Sequence, residues 1–370
     1  MDFDQAVPDT TDDDAVQKQG NACVSAAPRP NRITIEGVLM SIRNLARSLA
    51  FVMGFSIAAA AHAEALPEGD AGIAARYPGD TGIAADPAVI FADNFESYGN
   101  VAGLTSKWTD VYHNVRIATE PGNTFSGGKA LEFRIPRQSS ELSNTAAKQL
   151  TNKQDVLFLR YYSKFDGQFN VLGSSHNGSS INANFYINGQ STPGIPADGD
   201  NKFLVAYENW REDSTVANPG RLNVYVYHPE QRSQWGDHWF PSGLILPFGG
   251  DPKAFFGSDF MARPDVVPEV GRWYCYELMV KANTPGKRDG RIAFWLDGKL
   301  VADFPNLRLR DVDTLKIDRF SLEFHIKSNT SSETRKWYDN VVAATSYIGP
   351  MAATGTAPPL AAPSNLRVAP

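Results

Sequence analysis

Trp273-Tyr-Cys-Tyr-Glu-Leu-Met-Val-Lys281, Arg291-Ile-Ala-Phe-Trp-Leu296 and the link Leu296-Asp297-Gly298-Lys299-Leu300 decide the fold. The first two runs are short, apolar and rich in aromatic residues, the composition of strands. Asp297-Gly298 has the residue types of a type I′ hairpin turn, whose two central positions need a positive φ. Outward from this hairpin, strands are expected at Ala88–Phe91, Ala130–Ile135, Val156–Phe165, Lys202–Glu208, Leu222–Tyr227, Arg319–Ile326 and Trp337–Ala343. Gly, Pro, Asn and Asp punctuate them. After residue 63 no helical apolar periodicity runs beyond about three turns. Many strands at short spacing predict an all-β domain, a jelly-roll β-sandwich of two antiparallel sheets.

Composition agrees. The 370 residues are 42% hydrophobic, enough for a core, which excludes wholesale disorder. Lys and Arg number 35 against 41 Asp and Glu, so no broad basic surface for nucleic acid is expected. Two cysteines cannot build a disulfide framework.

Organisation follows from local composition. Residues 1–39 are polar and acidic and read as a disordered leader or a mis-assigned start. Residues 40–63 read as a signal peptide: Arg43 and Arg47, an apolar run from Leu49, then Ala61-His62-Ala63 as a cleavage pattern. A secreted protein, extracellular or periplasmic, is therefore expected, with no membrane association after cleavage; an uncleaved N-terminal anchor is the other reading. Cys23 would be lost, leaving Cys275 alone in an apolar strand, where it reads as a packed small hydrophobe. Residues 64–88 form a lead-in with a short echo, Gly69-Asp-Ala-Gly-Ile-Ala-Ala75 and Gly79-Asp-Thr-Gly-Ile-Ala-Ala85. Residues 89–350 are the jelly roll, and 351–370 an Ala/Pro-rich linker. The end of that tail resembles the opening of a fibronectin type III module.

Side chains alternate along a strand, so each strand divides into two faces. Arg160, Tyr162 and Lys164 oppose Leu157, Leu159 and Tyr161. Asn223, Tyr225 and Tyr227 oppose Leu222, Val224 and Val226, with His228 just beyond. Glu323, His325 and Lys327 oppose Leu322, Phe324 and Ile326. Faces mixing Arg, Lys, His, Asn and Tyr suit a sugar, whose C–H faces stack on rings and whose hydroxyls and carboxylates take amides and charges. An ordinary wet sheet face is the other reading. Trp235 and Trp239, in Tyr227-His-Pro-Glu-Gln-Arg-Ser-Gln-Trp-Gly-Asp-His-Trp239, read as stacking residues at the rim of such a groove.

Val89-Ile-Phe-Ala-Asp-Asn-Phe-Glu96, Gly271-Arg-Trp-Tyr-Cys-Tyr-Glu277, Asp289-Gly-Arg-Ile-Ala-Phe-Trp-Leu-Asp-Gly298 and Trp337-Tyr-Asp-Asn-Val-Val-Ala-Ala344 together resemble the secreted jelly rolls of the concanavalin A-like lectin/glucanase superfamily. That superfamily includes alginate and glucuronan lyases, glucanases and non-catalytic binding modules, and fold alone does not choose among them. The resemblance implies a polysaccharide substrate or ligand. It also implies a structural calcium between the first and last strands, with Asp93, Glu96 and Asp339 at the matching places. No organic cofactor is expected, and a monomer is.

The glucanase signature, carboxylates alternating along one strand, is absent, which disfavours hydrolysis. β-Elimination on a uronic acid needs a neutraliser for the carboxylate, a base for the C5 proton and an acid for the leaving oxygen. Arg160 and Lys164 are the expected neutralisers, His176 the base, and Tyr225 or Tyr227 the acid. Tyr162, Asn177, Asn223, His228, Trp235, Trp239, His325 and Lys327 are the expected substrate contacts. His176 also reads as a plain surface-loop histidine. A polysaccharide lyase leads; a binding module, a glycoside hydrolase and an adhesion domain are the alternatives.

Overall fold

In a computed structural model of the chain, the described residues are 65–173, 175–327 and 332–354. The expected leader, the signal peptide and residues 355–370 of the expected linker lie outside them.

In chain order the strands are β1 (Val89–Asp93), β2 (Asp110–Tyr112), β3 (Val115–Ala118), β4 (Ala130–Ile135), β5 (Leu142–Gln154), β6 (Val156–Phe165), β7 (Ser175–His176), β8 (Ser179–Ala183), β9 (Tyr186–Ile187) and β10 (Gln190–Ser191). They continue with β11 (Phe203–Trp210), β12 (Arg221–Tyr227), β13 (Asp237–Trp239), β14 (Ile245–Leu246), β15 (Tyr274–Lys281), β16 (Gly290–Leu296), β17 (Lys299–Leu307), β18 (Ile317–Ile326) and β19 (Thr334–Ala344). One α-helical turn, α1, spans Pro252–Phe256. Among the described residues no helix is long and apolar enough to cross a membrane.

Two large antiparallel sheets face each other. One runs β17-β16-β15-β6-β19-β4-β3, with β1 also on β19; the other runs β14-β13-β12-β11-β8-β18-β5-β2, with β7 on β18. The chain is therefore an all-β jelly-roll sandwich. Alternation explains the core. Leu157, Leu159, Tyr161 and Phe165 of β6 meet Phe203, Val205 and Tyr207 of β11, Leu222, Val224 and Val226 of β12, and Phe320, Leu322 and Phe324 of β18 in one buried cluster. Each such apolar side chain contributes about 1.5–3 kcal/mol by leaving water. The Asp297-Gly298 turn joins β16 to β17, with φ of 49° and 76°.

The expected strands all form, two with the expected bounds and the others shifted at one or both ends by one to three residues. β5 was not expected, because Leu142-Ser-Asn-Thr-Ala-Ala-Lys-Gln-Leu-Thr-Asn-Lys-Gln154 is mostly polar. Only Ala146 and Leu150 of it enter the main buried cluster; its pairing with β18 along Leu142–Gln149 holds it in place.

The lead-in explains its own echo. It runs as 3₁₀ turns over the outer face of the sheet containing β6, and each copy delivers one isoleucine, Ile73 and Ile83. Both join a second buried cluster with Phe158, Met279, Trp295 and Val342. Gly72 lies so close to this sheet's C-terminal extension that a Cβ there would sit 2.2 Å from the Ile348 carbonyl oxygen. The lead-in therefore covers part of this outer face, whereas the outer face of the β11–β12–β18 sheet is open beside His176.

Candidate active site

On that open face the outward residues of five strands converge around one carboxylate. Glu208 is the last outward position of β11 before Trp210. Its neighbours on the same face of β11, Leu204 and Ala206, are apolar and lie under the segment from Phe185 to Ala197. Glu208 is 2% exposed. Its Oε2 lies 2.7 Å from His176 Nδ1, and its Oε1 lies 3.4 Å from His238 Nδ1.

β7 and β13 deliver the two histidines from opposite sides. β7 pairs with β18, so that His176 stands opposite His325, and the two rings are 5.3 Å apart. β13 pairs with β12, so that His238 stands opposite Tyr225, with ring centroids 4.7 Å apart. Tyr225 is also 5.0 Å from the His176 ring, which places its phenol between the two imidazoles. Trp210 closes the row at 4.2 Å from His238.

The hydrogen bonds fix tautomers. Asn223 Oδ1 is 3.0 Å from His238 Nδ1, and Asn223 Nδ2 donates to the Glu208 and Arg221 carbonyls. The amide oxygen therefore accepts, His238 carries its proton on Nδ1, and Nε2 presents a bare lone pair. His176 likewise turns Nδ1 to Glu208 and its Nε2 away. Tyr225 accepts from the Gly236 N–H at 3.0 Å, and Tyr227 from the Gly194 N–H at 3.2 Å. Burial first, then the neighbouring phenol, pushes Tyr225 well above the ordinary tyrosine value, so its proton stays on.

The three imidazoles separate in charge. Burial pulls His176 down, but the carboxylates of Glu208, Glu323 and Glu141 outweigh it and raise it to about 9. Its ring is 29% exposed, so water screens part of that pull. Burial, then the His176 charge, lowers His238 to about 3 and His325 to about 3. At neutral pH one imidazolium thus stands between two neutral imidazoles. The arrangement can neutralise an anion, accept a proton and donate one within a single row.

Glu323, on β18, also faces outward. Its Oε1 accepts from Ser180 Oγ at 2.8 Å and from Ser321 Oγ. Glu208 and Glu323 sit on strands separated only by β8, hence about 9.6 Å apart at the backbone from the usual strand spacing of ~4.8 Å. The two acids come from different strands, so no spacing along the chain marks them as a pair.

Several expected site residues lie elsewhere. β6 belongs to the other sheet, so its polar face turns away from the row. Arg160 is fully buried beneath the lead-in, ion-paired to Asp80 at 2.6 Å. Tyr162 stacks on Phe125 with 3.6 Å between centroids and accepts from the Met351 N–H. Lys164 donates to Asn123 and lies over Trp337 and Trp273. Alternation tells which residues of a strand share a side, but not which sheet the strand joins. His228 is buried against Trp239 and Phe255 and bonded to Asp237 at 3.1 Å. Trp239 is core, packed on Phe256 and Phe304. Asn177 is buried, and its amide makes two 2.9 Å bonds with the backbone of Asn209. Lys327 is exposed just beyond β18. Trp235 is exposed and lies over Gly194, next to the Tyr227 end of the row.

The expected calcium ligands are only partly placed for an ion. Asp93 accepts from Tyr98 at 2.6 Å, Trp108 at 2.8 Å and the Phe95 N–H, with Lys107 at 3.3 Å, so donors surround it. Glu96 takes the Gly128 and Lys129 N–H groups, and Asp339 those of Phe125 and Ser126. Burial, with Glu96 adding to it, raises Asp339 to about 7. Among the described residues no three His, Cys, Asp or Glu side chains group to hold a metal. A cavity of about 470 Å³ lies against the lead-in, lined by Leu66, Arg76, Phe158, Arg291 and Tyr347. It is on the far sheet and contains none of the acid–base row.

No protein-family model matches the chain, and no curated protein matches it. Solved structures do. The chain is similar to alginate lyase Aly36B (18% identity, TM-score 0.48, covering 71% of this chain and 99% of that one). It is similar to an endo-β-1,4-glucuronan lyase from the fungus Trichoderma reesei (15% identity, TM-score 0.45, 70% and 96%). It is also similar to the alginate lyase of Aplysia kurodai (13% identity, TM-score 0.48, 70% and 99%).

Proposed function

We propose that the chain is an exported polysaccharide lyase, acting as a monomer, that cleaves a uronic-acid polymer by β-elimination. The observation that carries this reading is the charge-separated histidine row on the open face. His176, held as a cation by Glu208, neutralises the uronate carboxylate and makes the carbanion-like state at C5 tolerable. His238, neutral with its proton fixed on Nδ1, takes the C5 proton on Nε2, and the uronate carboxylate paired with His176 relieves the part of its lowering that comes from the His176 charge. Tyr225, kept neutral, gives its proton to the leaving glycosidic oxygen. The role assigned to His176 thus differs from that expected from sequence: a group titrating near 9 serves poorly as a base at neutral pH. Trp235 extends the contact surface for a longer chain.

Hydrolysis is the second reading, favoured by Glu208 and Glu323 flanking one strand. It is the weaker one. Glu208 is held through Oε2 by His176, and Glu323 through Oε1 by two serine hydroxyls, so one oxygen of each carboxylate is already committed as an acceptor. A structural calcium at Glu96 and Asp339 is a further part of the proposal, since a cation there relieves the repulsion that helps raise Asp339.

The test offers purified protein a panel of alginate, glucuronan, pectate and glycosaminoglycans while following the ultraviolet absorbance of unsaturated sugar. A rise on a uronate polymer that is lost in His238→Ala supports the assignment. A flat trace with retained binding points to a binding module.

A further inference from the structure

One end of the open face hides polar atoms that nothing satisfies. Asn182, on β8, shares its face with Ser180, while Ile181 and Ala183 point into the core. It is 0% exposed, and both its Oδ1 and its Nδ2 lack a hydrogen-bond partner. Arg319 stands directly opposite it in the β8–β18 register. Arg319 is ion-paired through Nη2 to Asp110 at 2.7 Å, but its Nε is also buried and unpartnered. Two donors and one acceptor are therefore orphaned side by side. Buried polar groups are nearly always satisfied, because each unmade bond forfeits the water it left. Three at one spot need a reason.

The cover over them is slight. Tyr186 lies across the Arg319 guanidinium, 4.3 Å from ring to cation. It belongs to the β9–β10 hairpin, which has only two rungs, Ile187 with Gln190 and Tyr186 with Ser191. The hairpin turns through Asn188 and Gly189, both at positive φ, and all four residues from Ile187 to Gln190 are exposed. An element so weakly tied opens readily.

We propose that Asn182 and Arg319 form a binding subsite for a uronate unit, with Tyr186 as its lid. The carboxylate takes the Arg319 Nε–H and one Asn182 N–H, and a neighbouring hydroxyl donates to Asn182 Oδ1. The displaced Tyr186 ring then packs on the sugar. Along β18 the outward positions run His325, Glu323, Ser321, Arg319, so Arg319 lies about 20 Å from His325, while Asn182 is two residues along and two strands across from Tyr225, about 12 Å away, at ~3.4 Å per residue and ~4.8 Å per strand. The subsite therefore grips a further unit of the same chain. The inference rests on the uronate-polymer reading of the face.

The experiment pairs Asn182→Leu with Asn182→Asp. Leucine fills a similar volume and removes the orphaned amide, so the melting temperature holds or rises while affinity for long uronate oligosaccharides falls tenfold or more. Aspartate opposes the carboxylate, so it weakens uronate binding more than binding of a neutral glucan. Unchanged uronate affinity in both variants, or a melting temperature that drops in Asn182→Leu, overturns the subsite while leaving the lyase reading intact. Wild-type protein that binds none of the polymers overturns both.

Discussion

Glu208→Gln perturbs the charge on which the histidine row depends. A rise of His176 from 6.5 to about 9 corresponds to roughly 3 kcal/mol of preferential interaction with the charged ring. With the ring 29% exposed, screening reduces this to ~2 kcal/mol. Because the folded value lies above the unfolded one, this stabilisation is fully present below about pH 6.5 and fades as pH climbs through about 9. Glutamine keeps the shape and removes the charge. Burial then dominates, and His176 titrates at or below 6.5. The assay has two arms. Imidazole resonances followed by NMR give the His176 titration directly. Denaturant unfolding of both proteins at pH 6, 8 and 10 gives a stability difference that shrinks with rising pH. A His176 value near 9 in Glu208→Gln, or a pH-independent stability difference, would refute the pairing as the source of the charge.

Other outcomes follow from the same geometry. Arg160→Ala strands Asp80 in a buried site and costs about 3–5 kcal/mol in denaturant melts, yet leaves polymer affinity per folded molecule unchanged, since Arg160 faces the lead-in. Burial outweighs the Ile348 and Gly349 N–H bonds and raises the Glu277 carboxyl to about 7. The folded state therefore holds that proton longer than the unfolded chain, so stability falls as pH rises from about 4.5 to 7; Glu277→Gln flattens that window in thermal melts. For the proposed calcium at Glu96 and Asp339, the expected outcome is a chelator-reversible rise in the melting temperature of the wild type with calcium and little change in Glu96→Gln.

The strands were legible because their information is local. Val156–Phe165 carries its own alternation, and Asp297-Gly298 its own turn. β5 was not, because its stability comes from a partner 170 or so residues away rather than from its polar sequence. The site divides in the same way. The structure brings Tyr225, Asn223, His325 and His176 onto one face, in keeping with the polar side that their strands or loop show in the sequence. Arg160, Tyr162 and Lys164 were misplaced because the same alternation does not say which sheet β6 joins. Glu208 carries a signal in its own strand, a single charge among Leu204, Ala206 and Trp210 on one face of β11. Asn182 and Arg319 leave no trace in sequence at all; their meaning lies in bonds not made.

The mass of the oligosaccharides released from a purified uronate polymer tests the central claim most directly. Elimination conserves atoms between the parent chain and its two fragments, with one fragment unsaturated. Hydrolysis adds one water. The account predicts fragments whose masses sum to the parent, produced by wild type and lost in His238→Ala. Fragments heavier by one water, made by wild type and abolished by Glu323→Gln, would contradict it and assign the face to hydrolysis.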